Sequence, residues 1–357
     1  KIKLQYVDPD KNPAITKQYG VTTYGTITLE SGTKETKIQK TTEENITNAL
    51  LKVTRDEQKV IYFLEGHNER KINSGDNEGY ATAKKNLEQD GFIVKTLLLL
   101  QSGKIPKDAS VLIIPDPKKP LQDEETKIID NYLSEGGAVF MLIDPKSSPR
   151  VETFLKKWGI ELGENIVIDP MSKLFGGDFA APVVNQYTAH EITSDFVLAT
   201  IFPTIRSVQE VPVSGITTTE ILKTGVNSWA ESDFSSGTVN YDEDKDTKGP
   251  ISVSVIAIKN PDKNRPALKS KLLVVGDADF ANNRYTNFSG NGDFFLNAVS
   301  WLAEEEQLIS IRPRERKNTP IQMTQSLGNT IFIMGIIIFP GLIAAIGVRI
   351  WWRRRRL

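Results

Sequence analysis

Apolar and polar positions change their rhythm twice along this chain. In the opening stretch Ile2, Leu4 and Tyr6 alternate as a strand would, and a proline-punctuated turn and a short amphipathic segment ending at Gly20 follow. Thr22 to Leu29 and Glu35 to Gln39 then alternate about a Ser31-Gly32 turn, which predicts a pair of strands. Thr41-Thr42-Glu43-Glu44 has the form of a capping box ahead of Ile46, Ala49, Leu50 and Val53, which recur at helical spacing. Strand, helix, hairpin, helix is the order found in the latter part of a thioredoxin-like fold, so residues 1–55 are read as a partial segment of that kind.

From Lys59 the pattern becomes apolar strands alternating with amphipathic helices, as in a parallel sheet covered on both faces. Strands are expected at Val60–Leu64, Phe92–Leu100, Ser110–Ile114 and Ala138–Ile143. Helices are expected at Tyr80–Gln89, stopped by Gly91, at Asp123–Ser134, closed by Gly136-Gly137, and at Val151–Trp158. The order predicts a flavodoxin-like α/β layout. After Ile166–Ile168 regularity fades through Met171 to Phe202, and the strands Ile251–Ile258 and Lys271–Val275 and the helix Asp293–Leu302 are expected to rejoin the same sheet.

The third rhythm is unbroken. Ile331 to Val348 carries no charged side chain; at about 1.5 Å per residue it would reach roughly 27 Å, close to a bilayer's hydrocarbon thickness. Pro340-Gly341 would break a helix in water but is tolerated as a kink in lipid. Trp351 and Trp352, with Arg353, Arg354 and the two arginines after them, suit the headgroup layer. A transmembrane helix over 327–352 with a basic tail at 353–357 is therefore expected, joined to the rest by a basic linker at 307–326. Because Arg349 and the tail arginines flank the C-terminal end, the positive-inside tendency puts the tail in the cytoplasm and the body outside.

Composition narrows the field. Lys plus Arg, 44, nearly cancels Asp plus Glu, 45, and no basic stripe with interleaved aromatics lies outside the membrane flank, so nucleic acid is not an expected partner. There is no cysteine, which removes disulfides, CxxC redox work and thiol nucleophiles. P-loop, GxSxG, GxGxxG and HExxH motifs are absent too. The chain begins at Lys1 without a methionine or signal peptide, as a piece of a longer precursor would.

Candidate chemistry collects where apolar strands end. Glu65, His67, Asn68 and Glu69, then Asp116, Asp144, Asp169, and Asp277 with Asp279, all fall just past C-terminal strand ends, the rim at which open α/β sheets bind ligands. Acidic residues beside proline or glycine also serve turns with nothing bound, and that plain alternative is preferred. His67 opens a polar loop, Arg70 to Gly79; it suits a ligand contact or a general base with Glu65 or Glu69, and equally a structural strand end. Asp277 and Asp279, with Asn282 and Asn283 after them, offer oxygen ligands for Mg²⁺ or Ca²⁺, or braces for a tight turn, and bracing is the reading taken. Asp242, Asp244 and Asp246 superficially resemble a calcium loop, but Thr247 and Val253 stand where glycine and glutamate are needed, so a solvated hairpin tip is expected. No catalytic residue, metal or cofactor is assigned.

Val60 to Glu69 (VIYFLEGHNE), preceded by Glu44 to Leu50, resembles the GldG family, auxiliary membrane components of ABC transporters associated with gliding motility. Val7-Asp8-Pro9-Asp10, Tyr24-Gly25-Thr26, Leu112 to Pro117, Gly136-Gly137 with Asp144-Pro145, Gly276 to Phe280 and Asn297 to Leu302 are similar to that family's recurring blocks, in its order. Its usual Gly-His-Gly-Glu is altered by Asn68. The resemblance implies an α/β domain over 56–306, similar to class I glutamine amidotransferases and to a domain of intraflagellar transport proteins. It also implies partners in an ABC permease and a separate nucleotide-binding subunit. Amidotransferase activity needs a cysteine and is not carried over. The resulting expectation is a non-catalytic auxiliary subunit in the cytoplasmic membrane, touching lipid and those partners, its body binding a partner or polar ligand. The alternatives are an envelope hydrolase using the rim carboxylates and a tethered solute-binding module.

Overall fold

A computed structural model describes residues 2–39, 41–54, 58–147, 150–175, 177–194, 196–233, 239–259, 269–304, 334 and 339–355. Residues 1–312 form one compact unit and residues 313–357 a second.

In the first unit, helix α1 (Pro13–Gln18) precedes an antiparallel hairpin of β1 (Ile27–Ser31) and β2 (Lys34–Ile38), with Ile27 opposite Ile38. Helix α2 (Glu43–Thr54) follows, its first turn closed by Thr42 Oγ1, which accepts from the Asn45 N–H at 3.2 Å. The expected strand at Ile2 to Tyr6 does not form: those three side chains are exposed and no ladder pairs them. Alternation supplies a strand's side-chain pattern, but without a neighbouring strand its backbone groups stay with water.

Next come β3 (Val60–Glu65), α3 (Ala81–Gln89), β4 (Ile93–Leu98), α4 (Leu99–Ser102), β5 (Ala109–Pro115), α5 (Asp123–Ser134), β6 (Ala138–Leu142) and α6 (Glu152–Lys157). Short strands then alternate with loops: β7 (Ile160–Leu162), β8 (Ile166–Ile168), β9 (Val183–Val184), β10 (Gln186–Tyr187), β11 (Thr200–Ile201) and β12 (Val208–Glu210). Longer elements return in β13 (Ile216–Lys223), which precedes β14 (Trp229–Glu231), β15 (Thr247–Lys248), β16 (Ser252–Lys259), β17 (Ser270–Val275) and α7 (Asn291–Leu302).

The central sheet has eight strands in the order β10-β13-β16-β17-β6-β5-β3-β4. From β17 to β4 neighbours run parallel; β16, β13 and β10 join antiparallel. The whole is therefore a mixed α/β sheet, broader than the flavodoxin-like layout expected. The threonine-rich β13 is the strand the hydrophobic pattern missed: it is only half-buried along most of its length, so the apolar signal is weak.

Both faces are covered, which is why the parallel strands read as unbroken apolar runs. Ile61, Phe63, Ile113, Phe140, Leu273 and Val275 face α3 and α7, with Leu87, Phe294 and Phe295. Their alternates Tyr62, Leu64, Leu112, Val139, Met141 and Val274 face α5 and α6, with Leu133 and Leu155.

In the second unit the described helix is Phe339–Arg354, sixteen residues, roughly 24 Å long. Among the described residues no helix is long and apolar enough to cross a membrane. Of the expected span from Ile331 to Val348, residues 331–333 and 335–338 lie outside the described residues; Pro340, Gly341 and Val348 lie on this helix, with Trp351, Trp352, Arg353 and Arg354 at its end.

Candidate functional site

The parallel strands deliver their C-terminal ends to one rim, and the polar residues that follow are drawn together by one guanidinium. Arg70, five residues past the end of β3, places Nη2 2.8 Å from Asp144 Oδ2 and 2.8 Å from Asp279 Oδ1. Its Nη1 meets Glu78 Oε2 at 3.1 Å, and its Nε lies 3.8 Å from Asp116 Oδ2. A second cation, Lys118, pairs with Asp116 and lies 3.1 Å from Asp144 Oδ2. The loops after β3, β5, β6 and β17 are thereby tied through charge.

Asp144 is the most heavily engaged acceptor. Besides both cations it takes the Ala278 N–H on Oδ1 at 2.6 Å. Burial alone would raise its pKa, but a hydrogen bond with Asp116 and the charges of Lys118 and Arg70 prevail and hold it at about 2. Asp116 is fully buried, at a left-handed φ of 56° that an aspartate tolerates better than most residues. Its Oδ1 accepts from Ser147 Oγ at 2.6 Å and from the Asp144 N–H at 3.3 Å. Burial, and then the proximity of Asp144, push it up to about 7 against the pull of Lys118. Arg70 is drawn down by burial but raised overall by Asp144 and Asp279, so it stays a cation.

Asp277 and Asp279 divide the remaining work. Asp277 is fully buried, and its two oxygens accept the N–H groups of Asp279 at 3.1 Å and Phe280 at 3.0 Å. This is the brace expected for the turn. Burial raises its pKa strongly, with Asp144 and Asp279 adding to the effect. Asp144, Asp277 and Asp279 have carboxylate oxygens within 4.8 Å of one another, close enough for a divalent cation. The donor set is a poor fit for one. Arg70 already satisfies Asp144 and Asp279 with a fixed positive charge, and Asp277 has both oxygens committed to backbone.

The His67 pair of expectations resolves into a brace. His67 is buried, with Nδ1 3.2 Å from Glu69 Oε1 and Nε2 2.9 Å from Glu125 Oε2, on the first turn of α5. Glu69 also accepts the His67 N–H at 2.7 Å, and the His67 carbonyl accepts the N–H groups of Lys118 and Lys119. Asn68, between them, has φ 60°, the conformation a glycine takes freely and asparagine accepts at small cost. That explains how asparagine stands where the resembling family has glycine. The other histidine, His190, packs on Trp301 of α7 and accepts the Ile192 N–H, in contacts separate from those of His67.

Glu65, Asn68 and Glu69 also line an open depression of about 520 Å³ with Lys71, Asn73, Ser74 and Leu98. It lies where β3 and β4 end, one strand to the side of the β3/β5 boundary at which the strand order reverses. Asp169 stands apart, its Oδ1 accepting the Met171 N–H. Asp246, just before β15, is buried and accepts the N–H groups of Asp242 and Ser232, so of the solvated hairpin tip expected there Asp246 itself is not solvated.

Arg70, Lys118 and Glu125 were not singled out by sequence reasoning. Charge balance is the signal that would have found the first two: a rim with four buried or part-buried aspartates needs cations, and Arg70 and Lys118 are basic residues in the loops directly after β3 and β5. Asn283 contributes as well, its Nδ2 donating to the carbonyls of Ser74 and Asp76 and its Oδ1 accepting the Thr82 N–H, which pins the Arg70–Gly79 loop.

The fold and rim define a mixed α/β protein whose strand-end loops are locked by buried ion pairs. Residues 58–298 match the ABC_transp_aux family, described as an ABC-type uncharacterized transport system, and the chain belongs to that family. It is an auxiliary component of an ABC-type transport system. No curated protein matches it in sequence. Among solved structures, the mmIFT52 N-terminal domain is similar with a TM-score of 0.51 at 14% identity, over 68% of this chain and 97% of that one. This likeness is one of fold, and it agrees with the expected similarity to an intraflagellar transport domain. ThuA-like proteins from Bacteroides uniformis and Parabacteroides merdae align at 13% and 12% identity over 69% of this chain, and over 91% and 90% of theirs, with TM-scores of 0.40 and 0.41.

Proposed function

We propose that this chain is a GldG-like, non-catalytic auxiliary subunit, held in the cytoplasmic membrane by its C-terminal segment with its α/β body outside and its arginine tail inside. The observation that carries the non-catalytic reading is Arg70. A hydrolase needs two carboxylates free to handle protons across a substrate, whereas Asp144 and Asp279 share one guanidinium at 2.8 Å each. A solute-binding module needs an enclosing pocket, and the rim depression is open. Membership of an ABC transport family supports partners in a permease and a nucleotide-binding subunit. The five parallel strands we read as a flavodoxin-like, amidotransferase-like core without its cysteine nucleophile, residues 1–55 as the partial thioredoxin-like segment before it, and 307–326 as the linker to the membrane.

The apolar run from Ile331, through Pro340 and Gly341, to Val348, followed by Trp351, Trp352 and five arginines within 349–356, supports the anchor and its orientation. Purification of the full chain in mild detergent is expected to bring down a multispanning permease and an ATPase subunit. Protease added to the outer face of sealed spheroplasts is expected to reach the body. Recovery of the chain without either transporter subunit, or a body protected from that protease, would overturn the reading.

A further inference from the structure

The two ends of the eight-stranded sheet are not equivalent. One ends in β10, a strand of two residues, which is a common way to blunt an edge. The other ends in β4, six residues long, paired among the described residues with β3 alone, with neither proline nor bulge in its register. Its composition, Ile-Val-Lys-Thr-Leu-Leu, favours a strand, and Ile93, Lys95, Thr96 and Leu98 are exposed. Lys95, the one charge that would keep another strand away, is engaged by Asp108 at 3.0 Å and lies over the Tyr62 ring.

The backbone register shows which groups face outward. The Ile93 N–H donates to the Lys59 carbonyl, toward β3. Because a residue's N–H and C=O point to the same side of a strand and alternate along it, Ile93, Lys95 and Leu97 face β3, and Val94, Thr96 and Leu98 present both groups to the open side.

We propose that β4 is a homodimer edge, pairing antiparallel with β4 of a second copy about a two-fold axis at Thr96. A two-fold axis normal to the sheet keeps each residue on its own face, so only registers that centre on a residue are allowed. Centring on Lys95 sets two ammonium groups opposite each other. Centring on Thr96 matches threonine with threonine and Val94 with Leu98, and all three outward-facing residues become hydrogen-bonded pairs. It also covers Leu98, which is 47% exposed. Of the residue-centred registers, the one on Thr96 alone pairs all three outward-facing residues with one another, and the result is a continuous sheet of sixteen strands, twice the eight present.

The cysteine-free sequence makes the test direct. In a hydrogen-bonded antiparallel pair the two Cα atoms stand about 5.5 Å apart, within disulfide reach, so Thr96→Cys in the full chain in mild detergent is expected to oxidise to a covalent dimer. In the same register the two Lys95 Cα atoms lie roughly 8 Å apart, beyond that reach, so Lys95→Cys, also at an exposed position, is expected to stay at least tenfold less cross-linked. Thr96→Pro removes an outward N–H that β3 does not use; it is expected to leave the thermal midpoint within a few degrees and convert the native dimer to monomer by light scattering. A monomeric wild type, equal cross-linking of both cysteine variants, or none with Thr96→Cys would overturn the proposal. So would a Thr96→Pro variant that loses a different protein while wild type shows no self-association.

Discussion

Replacing Asp116 by asparagine should make this protein more stable above neutral pH, although it deletes a buried charge. Asp116 sits at about 7 instead of its ordinary 3.8, so the folded chain holds a proton there that the unfolded chain has released. A raised carboxyl contributes a cost that is absent below the unfolded value, grows through the window from about 4 to about 7, and is complete above it. Taken alone, that displacement amounts to on the order of 4 kcal/mol. Asp144 moves the opposite way, to about 2, which contributes on the order of 2 kcal/mol above its unfolded value and is lost only as the pH falls toward 2. The two displacements share one hydrogen bond, so the expected gain is their difference, on the order of 1–2 kcal/mol at about pH 8. Asparagine can donate to Asp144 at every pH, as the protonated carboxyl does below 7. Urea unfolding of the full chain in mild detergent, at several pH values between about 5 and about 8, reads both quantities: the wild type should lose stability across that window and Asp116→Asn should stay nearly flat. A wild type with no slope, or a variant less stable at about pH 8, would show that Asp116 carries a full charge in the fold.

Other expectations follow from the same rim. Arg70→Met leaves Asp144 with Lys118 as its one cation and takes the Arg70 pair from Asp279, and should cost roughly 3–5 kcal/mol of unfolding free energy measured by urea denaturation; Glu78→Gln, which removes only the exposed partner, should change it by no more than about 0.5 kcal/mol. At Asn68, glycine should be tolerated within about 1 kcal/mol whereas valine, which resists a φ of 60°, should cost on the order of 1–2 kcal/mol, a contrast a thermal melt will resolve.

Much of the α/β body was legible because burial on both faces leaves a plain mark. The runs Val60–Leu64, Ser110–Ile114 and Lys271–Val275 became β3, β5 and β17 within a residue or so, and Asp123–Ser134 and Ile166–Ile168 became α5 and β8 with the bounds expected. What failed did so where the partner lies far away in sequence. Alternation at Ile2, Leu4 and Tyr6 carries no information about a neighbouring strand, and the threonines of β13 carry too little apolar contrast to reveal their antiparallel place beside β16. The rim aspartates were legible as positions, since each follows an apolar strand. Their chemistry was not, because it depends on Arg70 reaching residues 74 and 209 positions onward, and on His67 meeting Glu125 on α5.

The place of β17 bears on how the chain acquires its shape. It lies between β6 and β16, in the interior of the sheet, yet the polypeptide supplies it more than a hundred residues after β6. Until Ser270–Val275 emerges, β6 has an open flank and the antiparallel strands have nothing to join, so the sheet remains in two unjoined portions. Closing so distant a pairing is slow compared with local turns and helices. A nascent chain halted before residue 270 should therefore stay protease-sensitive throughout its second half, and resistance is expected only once this strand and the α7 helix that covers it have both been made.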